Sequence, residues 1–249
     1  PLVPVACILS AALLATGLVP RQLDETALWQ YLGYQCIPAP RTIVTGVSAL
    51  EPGRWMTVGT GGQQSHGEYW HMLSAAASPL DLSAQAARHE IRQRLRQAVD
   101  AQMVSDVPVG AFLSGGIDSS LIAILASREP ASGQMGFHGK FTQYPGYDES
   151  GYAEIAARAA GLTLHQIDIS AEDFRNSIGK VIYHLDHPVA GPGAFPQYMV
   201  SNLAAQHVKV VLGGQGGDEI FGGYARYLIA YFEQCITAAI DGTYRNGNF

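Results

Sequence analysis

The sequence predicts an α/β fold, a doubly wound parallel sheet with flanking helices. From about Leu82 onward, apolar runs of strand length alternate with longer runs of helix length. This alternation is typical of parallel sheets, because the crossover between two parallel strands usually contains a helix. Hydrophobic residues make up 47% of the 249 residues and charged residues 14%, a composition that is sufficient for a large core.

Each element follows from its local pattern. In residues 1–70, apolar spacing predicts a helix over Glu25–Tyr34, followed by turns at 38–40 and 52–53 and by a polar loop over 59–67. An amphipathic helix that carries arginines on its polar side ends at Met103. Strands are predicted over 109–113, 135–141, 164–169 and 208–212, and helices over 119–128, 150–160, 173–185 and 195–206.

An apolar, uncharged run over 3–19 suggests either a signal peptide or a membrane segment. It is short for a bilayer span, contains Pro4 and has no basic segment before it, and these features argue against both readings. Cys7, Cys36 and Cys235 are too scattered for a disulfide framework, which favours the cytoplasm. A net charge of −6 without a basic run argues against nucleic acid as a partner, and no membrane partner is expected.

The most informative segment is a glycine turn between an apolar strand and an apolar helix, Ser114-Gly115-Gly116-Ile117-Asp118-Ser119-Ser120. Its glycines can adopt positive φ, and its hydroxyls lie beside the free N–H groups of a helix N-terminus, so a phosphate or pyrophosphate is the expected ligand. A Walker A loop is excluded because no lysine follows the last glycine. The alternative is an ordinary serine-capped helix start.

A second apolar strand, 208–212, ends in another glycine turn, which carries Asp218 and Glu219. If both strands are parallel in one sheet, Asp118 and Asp218 lie beyond strand carboxyl ends, where open α/β sheets bind ligands. Two carboxylates that face one polyphosphate suit Mg²⁺, which is usually held by one or two carboxylates and by substrate phosphates. A solvated turn is the alternative for Asp218 and Glu219.

The first turn resembles the PP-loop of ATP pyrophosphatases, enzymes that split ATP between its α and β phosphates. Residues 113–120 and 212–224 together resemble the synthetase domain of glutamine-dependent asparagine synthetases. This resemblance implies a fold of the PP-loop, or adenine nucleotide α-hydrolase, type. The other similar segments are 105–110, 147–153 and 184–188, and, towards the end of the family's glutaminase domain and its linker, 40–43, 50–53 and 69–70.

The resemblance also implies a set of site residues. Asp118 and Asp218 would bind Mg²⁺ and, together with Gln215, act in catalysis. The reaction would be adenylation of the aspartate β-carboxylate by ATP, followed by attack of ammonia derived from glutamine. The residues that would bind ATP are Leu113, Ser114, Gly115, Gly116, Asp118, Ser119, Ser120 and Gly214.

By the same resemblance, residues 1–70 would be the tail of a glutaminase-type domain with its linker, and residues 71–249 a synthetase domain truncated at its C-terminus. The chain would then be a central fragment, inactive alone, whose partner is a glutaminase domain in the same full-length chain. A homodimer is compatible with this reading. Cys7 lies in an apolar run and is expected to pack in a core, not to be the glutaminase nucleophile.

One departure from the family pattern affects the chemistry. Asparagine synthetases commonly have Ser-Gly-Glu-Gly where this chain has Gly213-Gly214-Gln215-Gly216. The family's glutamate is placed to handle protons when ammonia attacks, whereas Gln215 cannot accept a proton at neutral pH. Two alternatives follow: a related enzyme with another nucleophile, such as a β-lactam or lasso-peptide cyclase or a sugar-acid amidotransferase, and a catalytically silent binding module.

Two further segments with ionisable side chains have two interpretations each. Asp148 and Glu149 form either a site contact or the N-terminal cap of the following helix. His184 and His187 flank Asp186, and this spacing fits either a metal site or the family loop near the active site.

Overall fold

The structure, a computed structural model, describes residues 10–76, 80–127, 133–189 and 191–243. Cys7 and the first part of the apolar run 3–19 lie outside these ranges. Within them, no helix is both long enough and apolar enough to cross a lipid bilayer.

The observed strands and helices alternate as predicted over most of the chain. A short 3₁₀ turn over Pro145–Tyr147 precedes the helix Ser150–Ala160. The strands are β1 Arg54–Val58, β2 Gln64–Glu68, β3 Val109–Phe112, β4 Met135–Lys140, β5 Thr163–Asp168 and β6 Val210–Leu212. The helices are α1 Ser10–Ala15, α2 Glu25–Tyr34, α3 Met72–Ala76, α4 Ala84–Gln102, α5 Ile117–Ala126, α6 Ser150–Ala160, α7 Ala171–Leu185, α8 Ala194–Ala204, α9 Gly217–Phe221 and α10 Ala225–Ile240.

Four strands form one parallel sheet in the order β5-β4-β3-β6. The chain therefore moves outward from β3 through β4 to β5, and then returns to place β6 on the other side of β3. This order confirms the predicted doubly wound parallel sheet. It also creates a topological switch point between β3 and β6, the position at which open α/β sheets bind ligands.

Both faces of this sheet are covered. On one face, Leu113 packs with alanines of α5 and α6 in a cluster of buried residues. On the other face, a Cβ at Gly139 would lie 2.7 Å from a methyl of Ile169 and 3.0 Å from one of Val200 in α8. The glycine therefore allows this side of β4 to approach the covering helix closely.

One predicted loop is wrong. Residues 59–67, expected to be a polar loop, include β2, which pairs with β1 in an antiparallel hairpin. Its turn is closed by the N–H of Gly59, which donates to the carbonyl of Gln63 at 2.8 Å. The strand escaped prediction because four of its five residues are exposed, so no alternation of apolar and polar residues marks it.

The start of α5 also differs from the prediction, by two residues. The helix begins at Ile117 instead of 119, because Gly116 adopts an extended conformation (φ −70°, ψ 163°) and is the N-cap. Asp118 consequently lies in the first turn of the helix, where the helix dipole favours negative charge.

By contacts, the chain divides into two compact units. One comprises Pro1–Arg88 with Ala171–Tyr198, and the other His89–Ser170 with Met199–Phe249. The second unit contains the parallel sheet and both glycine turns. The domain boundary near residue 70 stays a prediction.

Candidate active site

The two glycine turns start side by side at the carboxyl edge of the sheet. β3 and β6 are parallel neighbours, and Ala111 is paired with Leu212 in their register. The first turn begins at Ser114, three residues after Ala111, and the second begins at Gly213, directly after Leu212. We call these segments the first loop (114–120) and the second loop (213–218). Their common position is the switch point of the sheet.

The first loop is held by hydrogen bonds among its own residues. The Ser119 hydroxyl makes three of these contacts. Its oxygen accepts a hydrogen bond from the N–H of Ser114 at 3.1 Å and lies 2.9 Å from the Ser114 hydroxyl oxygen. It can also donate to the Gly116 carbonyl oxygen, at 3.2 Å. The Ser120 hydroxyl donates to the same carbonyl at 2.7 Å. The loop therefore has a defined shape without a ligand, while two predicted phosphate donors, Ser119 and Ser120, already have partners within it.

The backbone donors at the start of α5 are free of side-chain caps. Gly116 cannot cap the helix, and the first intrahelical bond, from the N–H of Ser120 to the Gly116 carbonyl, is 3.1 Å long. N–H groups at a helix N-terminus bind anions well, because they point at the ligand and the dipole favours negative charge. In this geometry the backbone N–H groups at the start of α5, more than the serine hydroxyls, would be available to a phosphate.

The start of α6 encloses the first loop from a second direction. Gly115 has φ +87°, and a Cβ there would lie 3.0 Å from both the Glu149 carbonyl oxygen and the Tyr152 Cβ. Asp148 accepts hydrogen bonds from the hydroxyl and the N–H of Ser150, and the first of these is the main cause of its lowered pKa. The side chain of Asp148 thus binds Ser150, the first residue of α6, while the backbone of Glu149, the N-cap residue, contacts the loop. No local sequence pattern indicates this contact.

The two loops contact each other through Asp118. A Cβ at Gly217 would lie 2.5 Å from the carboxyl carbon of Asp118, and one at Gly214 would lie 2.7 Å from the Ser119 nitrogen. Both glycines are needed for this approach, because any side chain would occupy the space of the first loop. The carboxylate of Asp118 therefore rests against the residue that precedes Asp218.

Asp118 and Asp218 are both half-buried, and neither carboxylate forms a hydrogen bond or an ion pair with another described residue. The Asp218 carboxylate lies against Gly223, where a Cβ would be 1.9 Å from one of its oxygens. Carboxylates that are not paired with a cationic side chain suit a bound cation, and the two loops supply one each. No cluster of three or more His, Cys, Asp or Glu side chains suited to a metal occurs among the described residues, so the remaining ligands would be phosphate oxygens or water.

Glu219, the neighbour of Asp218, has a separate role. The Tyr224 hydroxyl donates to Glu219 Oε1 at 2.8 Å, which lowers the pKa of Glu219 and raises that of Tyr224. The Arg226 guanidinium carbon lies 3.7 Å from the centre of the Tyr224 ring. These contacts join α9 to the start of α10, and Glu219 is a structural residue in this arrangement.

Gln215 is exposed and folds back over its own loop. A Cβ at Gly213 would lie 2.0 Å from the Gln215 Oε1 atom. A serine at 213 therefore requires another Gln215 conformation, which connects the two departures from the Ser-Gly-Glu-Gly pattern.

Leu113 lies at the edge of the candidate site, but its side chain is only 1% exposed. Its N–H donates to the Phe137 carbonyl at 2.9 Å, and its carbonyl accepts from the ring of His138. The side chain of Leu113 is therefore part of the core, and both of its backbone polar groups already have partners. His138 was missed by sequence reasoning, because a histidine in an apolar strand shows no motif.

The histidine segment 184–188 belongs to the other compact unit. There the Asp186 carboxylate accepts hydrogen bonds from the N–H groups of Ser10 and Ala11, the latter at 2.8 Å, and so caps α1. Asp186 therefore has a structural role as a capping residue.

Comparisons with known proteins identify the family. The asparagine synthase family profile matches residues 90–247. Asparagine synthetase [glutamine-hydrolyzing] 1 of Bacillus subtilis is 36% identical over 212 residues, which cover 83% of this chain and 32% of that protein. A putative asparagine synthetase [glutamine-hydrolyzing] of Mycobacterium tuberculosis is also 36% identical, with 83% and 31% covered. The chain thus spans about a third of the length of these relatives.

A more distant relative and a solved structure are also similar. Asparagine synthetase B of Escherichia coli is 31% identical over 150 residues, 55% of this chain and 27% of that protein. An NH3-dependent NAD synthetase from Campylobacter jejuni has a TM-score of 0.37 at 16% identity, and the alignment covers 55% of this chain and 60% of that one.

Proposed function

The chain belongs to the asparagine synthase family, and from this premise we propose that the protein is an ATP-dependent asparagine synthetase. The observation that carries the proposal is the contact between the two loops at the switch point. There, an uncapped helix N-terminus suited to phosphate lies beside two half-buried carboxylates suited to a cation.

The reaction has two steps. An oxygen of the aspartate β-carboxylate attacks the α-phosphorus of ATP, the bond to the β-phosphate oxygen breaks, and pyrophosphate leaves. Ammonia then attacks the acyl carbon of the β-aspartyl-AMP and loses a proton, AMP leaves, and asparagine forms. The protein's part in the first step is to hold the phosphates and stabilise their charge, which N–H groups at the start of α5 can do.

Asp118 and Asp218 are the residues that would hold Mg²⁺. When bound, the cation would offset the negative charge of the phosphates and so stabilise pyrophosphate as the leaving group. The two carboxylates alone would repel a triphosphate, so ATP binding should depend on the divalent cation.

We infer the source of the ammonia from the family to which the chain belongs. Glutamine would be hydrolysed by a glutaminase domain of the same protein, and the whole reaction would take place in the cytoplasm.

Gln215 is the observation that favours a second candidate, in which the same adenylated acid is attacked by an amine other than ammonia.

The products of ATP test the proposal. The protein as its gene encodes it, given Mg·ATP, aspartate and ammonium, should release pyrophosphate and AMP in equal amounts and form asparagine. Glutamate in place of aspartate is the matched control acid. Release of ADP and phosphate would contradict the assignment of the first loop, whereas pyrophosphate without asparagine would point to another acid or nucleophile.

A further inference from the structure

The connection between β4 and α6, residues 141–149, is held by a carboxylate at each end. Near its start, the carboxylate of Asp168, the last residue of β5, accepts hydrogen bonds from the hydroxyl and the N–H of Thr142, the latter at 3.2 Å. Near its end, Asp148 Oδ1 accepts from the hydroxyl and the N–H of Ser150, the latter at 3.2 Å. The connection leaves β4 at the carboxyl edge of the sheet, which is also the edge that carries the first loop.

Asp148 is half-buried, although residues 142–147 directly before it are all exposed. The pKa of its carboxyl is lowered chiefly by the Ser150 hydroxyl, and to a lesser degree by the N–H groups of Ser150 and Phe141. Phe141 is the residue directly after β4, and Ser150 is the first residue of α6. The carboxylate of Asp148 therefore links the end of the strand to the start of the helix.

The helix start that Asp148 holds is the part of α6 that contacts the first loop. Glu149 is the N-cap residue, and its carbonyl accepts a hydrogen bond from the N–H of Tyr152 at 3.0 Å. A Cβ at Gly115 would lie 3.0 Å from this carbonyl oxygen and 3.2 Å from the Glu149 Cβ. Because the loop and the helix start are packed this closely, a shift of the helix start would either move the loop or remove its support.

We propose that Asp148 is a positioning residue of the ATP site. Its carboxylate fixes the start of α6, and the Glu149 backbone there supports Gly115, so that the first loop keeps the shape that presents the N–H groups of α5 to phosphate. This inference rests on the proposed function, since it requires ATP at the first loop. Direct contact of the carboxylate with ATP or its cation is the alternative, and the two roles predict different effects of charge.

Asp148→Ala and Asp148→Asn separate position from charge. Alanine removes the acceptor, whereas asparagine is uncharged but keeps an oxygen that can accept from Ser150. In the protein as its gene encodes it, calorimetry should show Mg·ATP binding about three- to tenfold weaker for Asp148→Ala, as expected when one hydrogen bond is lost. Asp148→Asn should stay within about twofold of the wild type. Asp24→Ala removes the carboxylate that caps α2 in the other compact unit, and this matched control should bind Mg·ATP like the wild type.

A double-mutant cycle with Gly115→Ala tests the route from Asp148 to the loop. The added methyl would itself push the loop away from Glu149, so little support is left for Asp148 to maintain. In this background Asp148→Ala should weaken Mg·ATP binding by less than about twofold, because both changes break the same contact. Urea unfolding of the four proteins reports their stability, which a merely structural role would change without this coupling in ATP affinity.

The outcomes are distinct. Equal affinity of Asp148→Ala and the wild type, or the same loss in both backgrounds, would overturn the inference. An affinity of Asp148→Asn as low as that of Asp148→Ala would also overturn it, since charge would then be the cause. A wild-type protein that binds no Mg·ATP would overturn the proposed function together with the role of Asp148.

Ser150→Ala decides the question if one of these variants does not fold, because it removes only the hydroxyl partner of Asp148. Its affinity for Mg·ATP should fall about threefold, as for one weakened hydrogen bond. Wild-type affinity in this variant would overturn the inference.

Discussion

At the scale of single residues, Asp118 is the residue on which the proposed cation site depends most. Its place in a Ser/Gly-rich turn predicts a ligand site, and the structure seats its carboxylate against Gly217 in the second loop. Among the described residues this carboxylate has no cationic side chain as a partner, and its proposed partner is the cation that accompanies ATP.

Replacing Asp118 by Asn should weaken Mg·ATP binding by at least about tenfold, because the variant lacks one of the two ligand charges. The measurement is calorimetric titration at fixed Mg²⁺. Asp106→Asn, the same change at an exposed position before β3, is the control and should leave binding unchanged. Equal affinities in both variants would refute the metal-bridged pair.

Gln215 is the residue that bears on which group accepts the proton, and on which nucleophile attacks, in the second step. If ammonia is the nucleophile and a carboxylate at this position accepts its proton, Gln215→Glu should raise asparagine formation by up to ~10²-fold. The variant is assayed with aspartate and ammonium, and Gln206→Glu, after α8, repeats the charge change outside both loops. An unchanged rate would favour another proton acceptor or another nucleophile, which a panel of amines would distinguish.

At the scale of elements, the contact between the two loops depends on a glycine with no room for a side chain. A Cβ at Gly214 would meet backbone atoms, Ser119 N at 2.7 Å and Asp118 C at 2.9 Å, and backbone cannot turn away as a flexible side chain can. The start of α5 and the second loop would have to separate. Position 214 thus controls how α5 and β6 present the site.

Gly214→Ala should lower the free energy of unfolding by about 1–3 kcal/mol, as overpacking usually does, and should weaken ATP binding as well. Urea unfolding and calorimetry measure the two effects. Gly151→Ala, in the first turn of α6 with open space around it, should be within about 1 kcal/mol of the wild type or slightly more stable. Similar losses in both variants would show that the close approach has no role.

The elements themselves were largely predictable, for a physical reason that also explains the exceptions. The helix over residues 150–160 was predicted at its observed bounds, since its apolar residues recur at helical spacing and Gly161 ends it in a left-handed conformation. β2 was missed because its side chains are exposed on both faces and polar. Periodicity detects an element only where one face is buried.

At the scale of the whole molecule, a histidine pair links the stability of the sheet to pH. The rings of His165 in β5 and His207, before β6, are 4.0 Å apart between centroids. Burial, and secondarily the charge of His207, lowers the pKa of His165 below its ordinary 6.5. The unfolded chain therefore binds more protons than the folded one as the pH falls through 6.5.

Stability should accordingly decrease as the pH is lowered from about 7.5 to about 5.5, and the decrease should be smaller in His165→Asn. Thermal unfolding at the two pH values measures the difference in Tm. His66→Asn, at an exposed position of β2, should show the wild-type decrease. An equal decrease in all three proteins would exclude His165 as a cause.

The sequence by itself determined the class of the fold and the positions of the two loops, because these follow from local patterns of apolar residues and glycines. Tertiary structure alone decided that β6 lies beside β3, that Gly217 supports Asp118 and that His138 holds the carbonyl before the first loop. These contacts join residues far apart in the chain. They depend on strand order and on the close approach of backbones, and neither is written in the spacing of residues along a single segment.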